Sequence, residues 1–154
     1  PDQQARSAYI LAFMAADAEA MVTADDGAFL EHLWRTWSPG WMFCANKARA
    51  MRQAMAQAGV ATAALSYYRQ ALDTVSEAGK AAQALLAGPF NVPTLGLTGA
   101  DDGCILAGVF EGSMCHADFT AGLRVERIAD AGHFLHRERP DRVNAALIGW
   151  LQGR

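Results

Sequence analysis

Val92-Pro93-Thr94-Leu95-Gly96-Leu97-Thr98-Gly99-Ala100-Asp101-Asp102-Gly103 is the stretch on which the reading of the fold turns. Its first eight residues are apolar, β-branched or small and are bounded by turn formers, the pattern of a strand buried within a parallel sheet. A loop with two adjacent carboxylates follows at once. Further on, Leu123-Arg124-Val125-Glu126-Arg127-Ile128 alternates and predicts a second strand, which runs into Ala131-Gly132-His133-Phe134. Residues 106–110 read as a helix between the two strands. The chain closes on an amphipathic helix from Pro140 to Gln152, with Val143, Leu147, Ile148 and Leu151 on one face. Asp102 and His133, 31 residues apart, then sit on loops that leave successive parallel strands at the same edge. That edge is where α/β enzymes carry functional groups. Taken singly, an Asp in a Gly-rich turn and a His after a strand are ordinary turn features. Their paired placement singles them out, because a carboxylate facing an imidazole fixes its tautomer and leaves the other ring nitrogen free as a base.

Everything ahead of Gly88 reads as helix. An alanine-rich run from Ala5 to Met21 predicts one long helix. Thr23-Ala24-Asp25-Asp26 opens a second, with Phe29, Leu30, Leu33, Trp34 and Trp37 at helical spacing until Ser38-Pro39-Gly40 breaks it. A third runs from about Asn46 to Ala58, ended by Gly59. A fourth starts near Thr62 and carries Leu65, Tyr67, Tyr68 and Leu72. Residues 76–87 read as a weaker helical or irregular piece.

Among the 154 residues, 52% are hydrophobic and 19% charged, and the formal net charge is −3, a globular rather than a disordered composition. Lys and Arg do not cluster, which argues against a nucleic-acid partner. No run approaches the roughly 18 uncharged apolar residues of a membrane span. Pro1-Asp2-Gln3-Gln4 lacks the basic start of a signal peptide, so a cytoplasmic location is expected. The opening also lacks Met, which fits a processed or truncated chain. Cys44, Cys104 and Cys115 form no CxxC pair and are expected to be buried free thiols. No metal site and no cofactor is implied.

Two segments, Val92 to Ile105 and Asp130-Ala131-Gly132-His133-Phe134-Leu135-His136-Arg137-Glu138-Arg139-Pro140-Asp141-Arg142-Val143, resemble the last two core strands of the α/β-hydrolase superfamily. The epoxide hydrolase and haloalkane dehalogenase branch is the nearest, with its acid motif VPTL…GxxD and its histidine motif GAGHFxHxExP. The resemblance implies an α/β fold: the C-terminal portion of an α/β-hydrolase, with a helical cap over residues 1–88. Residues 89–154 would then be core, two parallel strands with flanking helices. It implies Asp102 as the acid partner and His133 as the base. Asp101 takes the acid's place if the turn is offset by one, and His136 belongs to the loop surface. Epoxide hydrolases use two cap tyrosines to hold and protonate the epoxide oxygen. Tyr9-Ile10-Leu11-Ala12-Phe13 and Tyr67-Tyr68-Arg69 are similar to the stretches that carry them, which points to Tyr9 and Tyr68. A phenol suits that task because it donates a strong hydrogen bond while neutral, although both tyrosines equally suit helix packing. Phe13, Trp37 and Phe134 are candidates to line a site for a small hydrophobic substrate. For Trp34, Trp37 and Trp41, lining a pocket or a halide site and plain core packing both stand.

The nucleophile of this family sits on a strand-to-helix elbow, Gly-x-[Ser/Asp]-x-Gly. No such elbow is read anywhere between Pro1 and Arg154, and the upstream His-Gly-x-Pro oxyanion loop is absent as well. Ser113 in Glu111-Gly112-Ser113-Met114 lacks the second glycine and falls between the acid and the histidine. The resemblance covers nearly all of this chain but about the second half of a full-length relative. Two parallel strands do not make an independent sheet, so the expected partner is the N-terminal half of the hydrolase or a second copy of the chain. The leading expectation is an epoxide-hydrolase-like enzyme whose nucleophile lies outside this chain. The alternatives are a haloalkane dehalogenase or esterase of the same branch, or a non-catalytic fragment that assembles with a partner.

Overall fold

The computed structural model describes residues 2–42 and 44–153, which gather into two compact units. One comprises residues 2–35, 42 and 44–87; the other comprises residues 36–41 and 88–153. The short segment Thr36–Trp41, which the sequence places among the helices, thus groups with the strands.

In the helical unit, the run read as one helix is three: α1 (Asp2–Arg6), α2 (Ala8–Met14) and α3 (Ala18–Thr23). The chain breaks at Ser7 and again at Ala15, whose ψ of 152° is extended. The second break lets Phe13 on α2 and Val22 on α3 both become buried. Alanine favours helix on both sides of such a break and leaves no mark of it in the sequence. A tight turn at Ala24–Gly27 follows, with Asp25 and Asp26 at positive φ. Asp is among the few side chains that tolerate that conformation. Then come α4 (Ala28–Trp37), α5 (Ala45–Met55), α6 (Val60–Ala71) and α7 (Glu77–Leu86). Leu30, Leu33, Ala48, Met51 and Leu65 complete the buried set with Phe13, Ala18 and Val22. Residues 77–86 are a well-formed helix because Ser76 caps it, its Oγ accepting from the Gly79 N–H at 3.0 Å. Asp73 supports the cap from one turn earlier by accepting from Val75 N and Ser76 N. The Ser76 hydroxyl, then these two amides, hold the Asp73 carboxyl below the usual carboxylate range.

The second unit is built on β1 (Thr94–Gly99) and β2 (Leu123–Ile128), paired in parallel from Thr94↔Leu123 to Gly99↔Ile128. β1 begins two residues later than the sequence pattern, after Pro93, which has no N–H to donate. Just upstream, Phe90 bridges to Phe119, and their rings stack with centroids 5.2 Å apart. α8 (Ala107–Ser113) carries the crossover, and α9 (Leu135–Glu138) and α10 (Pro140–Gln152) follow β2. Ile128, Ala131 and Val143 form the core here, with Leu97 and Leu135 packed against them. Among the described residues the sheet has only these two strands. Its small area has a consequence for α10. Val143 is buried, but Leu147, Ile148 and Leu151, expected on the same covered face, remain exposed because the helix outruns the strands available to it.

Of the three thiols expected to be buried, only Cys104 is; Cys44 and Cys115 are exposed. Cys44 precedes the first turn of α5, and the Lys47 backbone N–H there holds its thiol below the ordinary value. Among the described residues no single helix is long and apolar enough to cross a membrane.

Truncating Ile128 to Ala should destabilise the chain by about 2–5 kcal/mol in urea unfolding followed by circular dichroism. Ile148→Ala, at an exposed site on α10, should stay within about 0.5 kcal/mol of the parent.

Candidate active site

Because β1 and β2 end together, their loops leave the sheet side by side. The ladder continues one step beyond the strands: Ala100 N donates to Ile128 O at 2.9 Å and Asp101 N to Ala131 O at 2.8 Å. Asp130 turns the chain after β2 with a φ of 54°. Gly99 makes this close approach possible, since a Cβ there would lie 2.2 Å from Gly132 O and 2.4 Å from Ala131 O.

The Asp102 side chain is 6% exposed and faces His133, with Nδ1 of the ring 3.0 Å from Oδ2. Its other oxygen, Oδ1, accepts from Cys104 N at 2.7 Å and Ile105 N at 2.9 Å. One carboxylate oxygen therefore fixes the acid's own loop and the other meets the imidazole. With Nδ1 donating to that oxygen, Nε2 carries the lone pair that a general base needs. The His133 side chain keeps 30% of its surface open. Trp37 meets the imidazole edge-on at 5.1 Å and Phe134 at 5.3 Å, and Trp41 packs on Phe134 at 5.5 Å. Asp101, the alternative acid, is exposed, and so is His136.

Tyr9, Phe13 and Tyr68 meet within the helical unit. The Tyr9 and Tyr68 rings stand edge to face at 5.8 Å, and Phe13 lies 5.4 Å from Tyr9 and 4.8 Å from Tyr68. Phe13 is buried there and also touches Phe29 at 6.1 Å. Phe13 and Tyr68 line a small apolar cavity of about 40 Å³ with Val22, Leu30 and Leu65. Tyr67, the neighbour of Tyr68, is 81% exposed.

The letters Gly-x-Asp-x-Gly do occur once, from Gly99 to Gly103, but their setting is not an elbow. Asp101 has no positive φ, and the next helix starts only at Ala107. Here the spelling belongs to the acid loop. Among the described residues no three His, Cys, Asp or Glu side chains converge as a metal site would require.

Two contributors escaped the sequence reading, Ser38 and Glu138. Ser38 is 1% exposed and its Oγ donates to Glu138 Oε1 at 2.7 Å. Its only sequence signal was Ser38-Pro39-Gly40, read as a helix breaker. Glu138 lies inside the histidine motif without a role of its own.

No protein-family model matches the chain, and no curated protein matches it. Solved structures do. A Klebsiella pneumoniae protein assigned as an epoxide hydrolase aligns over 97% of this chain and 50% of its own, at TM-score 0.80 and 24% identity. The Cif epoxide hydrolase from Acinetobacter nosocomialis aligns over 93% and 44%, at TM-score 0.75 and 22% identity. An epoxide hydrolase from Bacillus megaterium, solved with an inhibitor, aligns over 98% and 53%, at TM-score 0.70 and 20% identity. The fold is that of the C-terminal half of an α/β-hydrolase. The chain spans about half the length of the solved structures it matches.

Gly99→Ala should destabilise the chain by at least 1–3 kcal/mol, roughly the range for overpacking, because backbone oxygens occupy the place of the new methyl. Gly108→Ala, in α8 with nothing within 4 Å of its Cβ, should be neutral or stabilising by up to about 1 kcal/mol. Paired urea titrations measure both.

Proposed function

We propose that this chain is the acid–histidine half of an epoxide-hydrolase-like enzyme acting on a small hydrophobic epoxide. The observation that carries the reading is the 3.0 Å approach of His133 Nδ1 to the buried Asp102 carboxylate on adjacent parallel-strand loops. In the proposed reaction a carboxylate nucleophile from a complementary N-terminal half attacks an epoxide carbon. The carbon–oxygen bond breaks, and Tyr9 and Tyr68 hold the leaving oxygen while one of them gives it a proton. His133, oriented by Asp102, then takes a proton from water as that water attacks the ester carbonyl. The acyl–oxygen bond breaks and the departing alkoxide takes the proton from His133; the second water proton, released as the carboxylate is restored, returns to the tyrosine that gave one, and the diol leaves.

Two observations support epoxide chemistry over halide or ester chemistry. Tyr9 and Tyr68, far apart in sequence, stand ring to ring, and the solved structures the chain resembles are called epoxide hydrolases. The complementary half is supported by the unit's own surface. β1 has one partner strand among the described residues. Val92, Val109, Ile148 and Leu151 each expose 44% or more of their area, as a core cut in half would.

The test is a fusion of the chain behind the N-terminal half of the Klebsiella pneumoniae protein, the half this chain does not match, offered an aryl epoxide. The fusion should form diol, and the 154-residue chain alone should not. Asp102→Asn and His133→Gln should each lower turnover by roughly 10²–10⁴-fold. The His133→Gln fusion should also accumulate the covalent ester in intact-protein mass spectra. Diol formation unchanged by His133→Gln would overturn the reading.

A further inference from the structure

Three consecutive backbone amides, those of Gly132, His133 and Phe134, are each held by a different group. Gly132 N donates to Glu138 Oε2 at 2.9 Å, His133 N to Trp37 O at 3.0 Å and Phe134 N to Ser38 Oγ at 3.1 Å. The holders are themselves tied together, since the Ser38 hydroxyl donates to Glu138 Oε1 at 2.7 Å. Trp37 O accepts a second bond, from Gly103 N at 2.9 Å, which joins the acid loop to the same support. The fit is close: a Cβ on Gly132 would fall 2.6 Å from Ser38 Cα.

We infer that Ser38, buried, and Glu138, half-buried, form a latch whose task is to aim His133 at Asp102, making both of them positioning residues for the base. This rests on the reading of His133 as the base. A histidine on a loop is free about its backbone as well as χ1 and χ2, and loops are the segments that open most readily. With the amides at, before and after His133 anchored, only the side-chain torsions remain, and the Asp102 bond fixes those. Glu138 suits the task better than a neutral residue. Its two oxygens accept from a hydroxyl and an amide at once, and bonds to a charged acceptor are about twice as strong as neutral ones. Ser38 is small enough to sit against Gly132 while presenting one donor and one acceptor. The segment Thr36–Trp41 then has a function that its place between two helices does not suggest.

The experiment is nitrogen-15 NMR of the 154-residue chain, reading solvent exchange of the His133 Nδ1 proton. Asp102→Asn serves as the reference in which that bond is broken. Loss of one bond to a charged acceptor raises local opening by about 10–100-fold, so Glu138→Ala and Ser38→Ala should speed this exchange by that factor. The double variant should be no faster than the worse single, because the two act as one unit. Glu138→Gln keeps both contacts only if the Ser38 hydroxyl reverses, and it should fall between parent and Glu138→Ala. Exchange at Leu97 and Val125 in the ladder should not change, which separates aiming from general stability. If Glu138→Ala does not fold, the parent alone decides: Gly132 and Phe134 amides should exchange together with His133. Nδ1 exchange unmoved in Glu138→Ala and Ser38→Ala, or Gly132 and Phe134 exchanging much faster than His133, would overturn the latch. An Nδ1 signal absent from the parent and unaffected by Asp102→Asn overturns the acid–base reading itself.

Discussion

The register of one parallel strand pair governs this molecule. Gly99 is opposite Ile128 at the last rung, so both strands stop at the same height and both loops leave from one edge. A slip of one residue would turn every side chain of one strand to the other face, and Asp102 would no longer lie level with His133. Gly99 is needed at that rung because the histidine loop crosses directly over it. The hydrogen bonds of Ala100 and Asp101 to the residues beyond β2 then carry the pairing into the loops themselves.

Burying a carboxylate is costly unless its oxygens are hydrogen-bonded. Asp102 meets that demand with two backbone amides on one oxygen and an imidazole on the other. The same bonds that make its burial tolerable fix its direction. Asp102 is thus held by its own loop, and His133 is held by residues that come from outside the strand–loop segment, Trp37, Ser38 and Glu138. The helical unit follows a different principle. Its aromatic residues Tyr9, Phe13 and Tyr68 meet ring to ring between α2 and α6.

What could be read in the sequence is what short-range chemistry encodes. Val92 to Gly99 announced a buried strand, Leu123 to Ile128 an alternating one, and Pro140 the start of the last helix; each has its element within two residues. The approach of Asp102 to His133 followed from strand order. The breaks at Ser7 and Ala15 were illegible because alanine gives no stop signal, and helix 77–86 owes its regularity to the Ser76 cap, a signal of a single residue. The exposure of Leu147, Ile148 and Leu151 was hidden because an amphipathic pattern states which face is apolar, not whether anything covers it. Ser38 was missed for another reason. Its partners Phe134 and Glu138 are 96 and 100 residues away, and no local pattern connects a helix-breaking serine to a glutamate in a distant motif.

The tautomer of neutral His133 tests the central claim most directly, and a long-range proton–nitrogen-15 spectrum of the chain reads it. A ring held by Asp102 through Nδ1 carries its proton on that nitrogen and leaves Nε2 bare. The account predicts that spectrum. A ring protonated at Nε2 with Nδ1 bare, or one exchanging freely between the two forms, would contradict it.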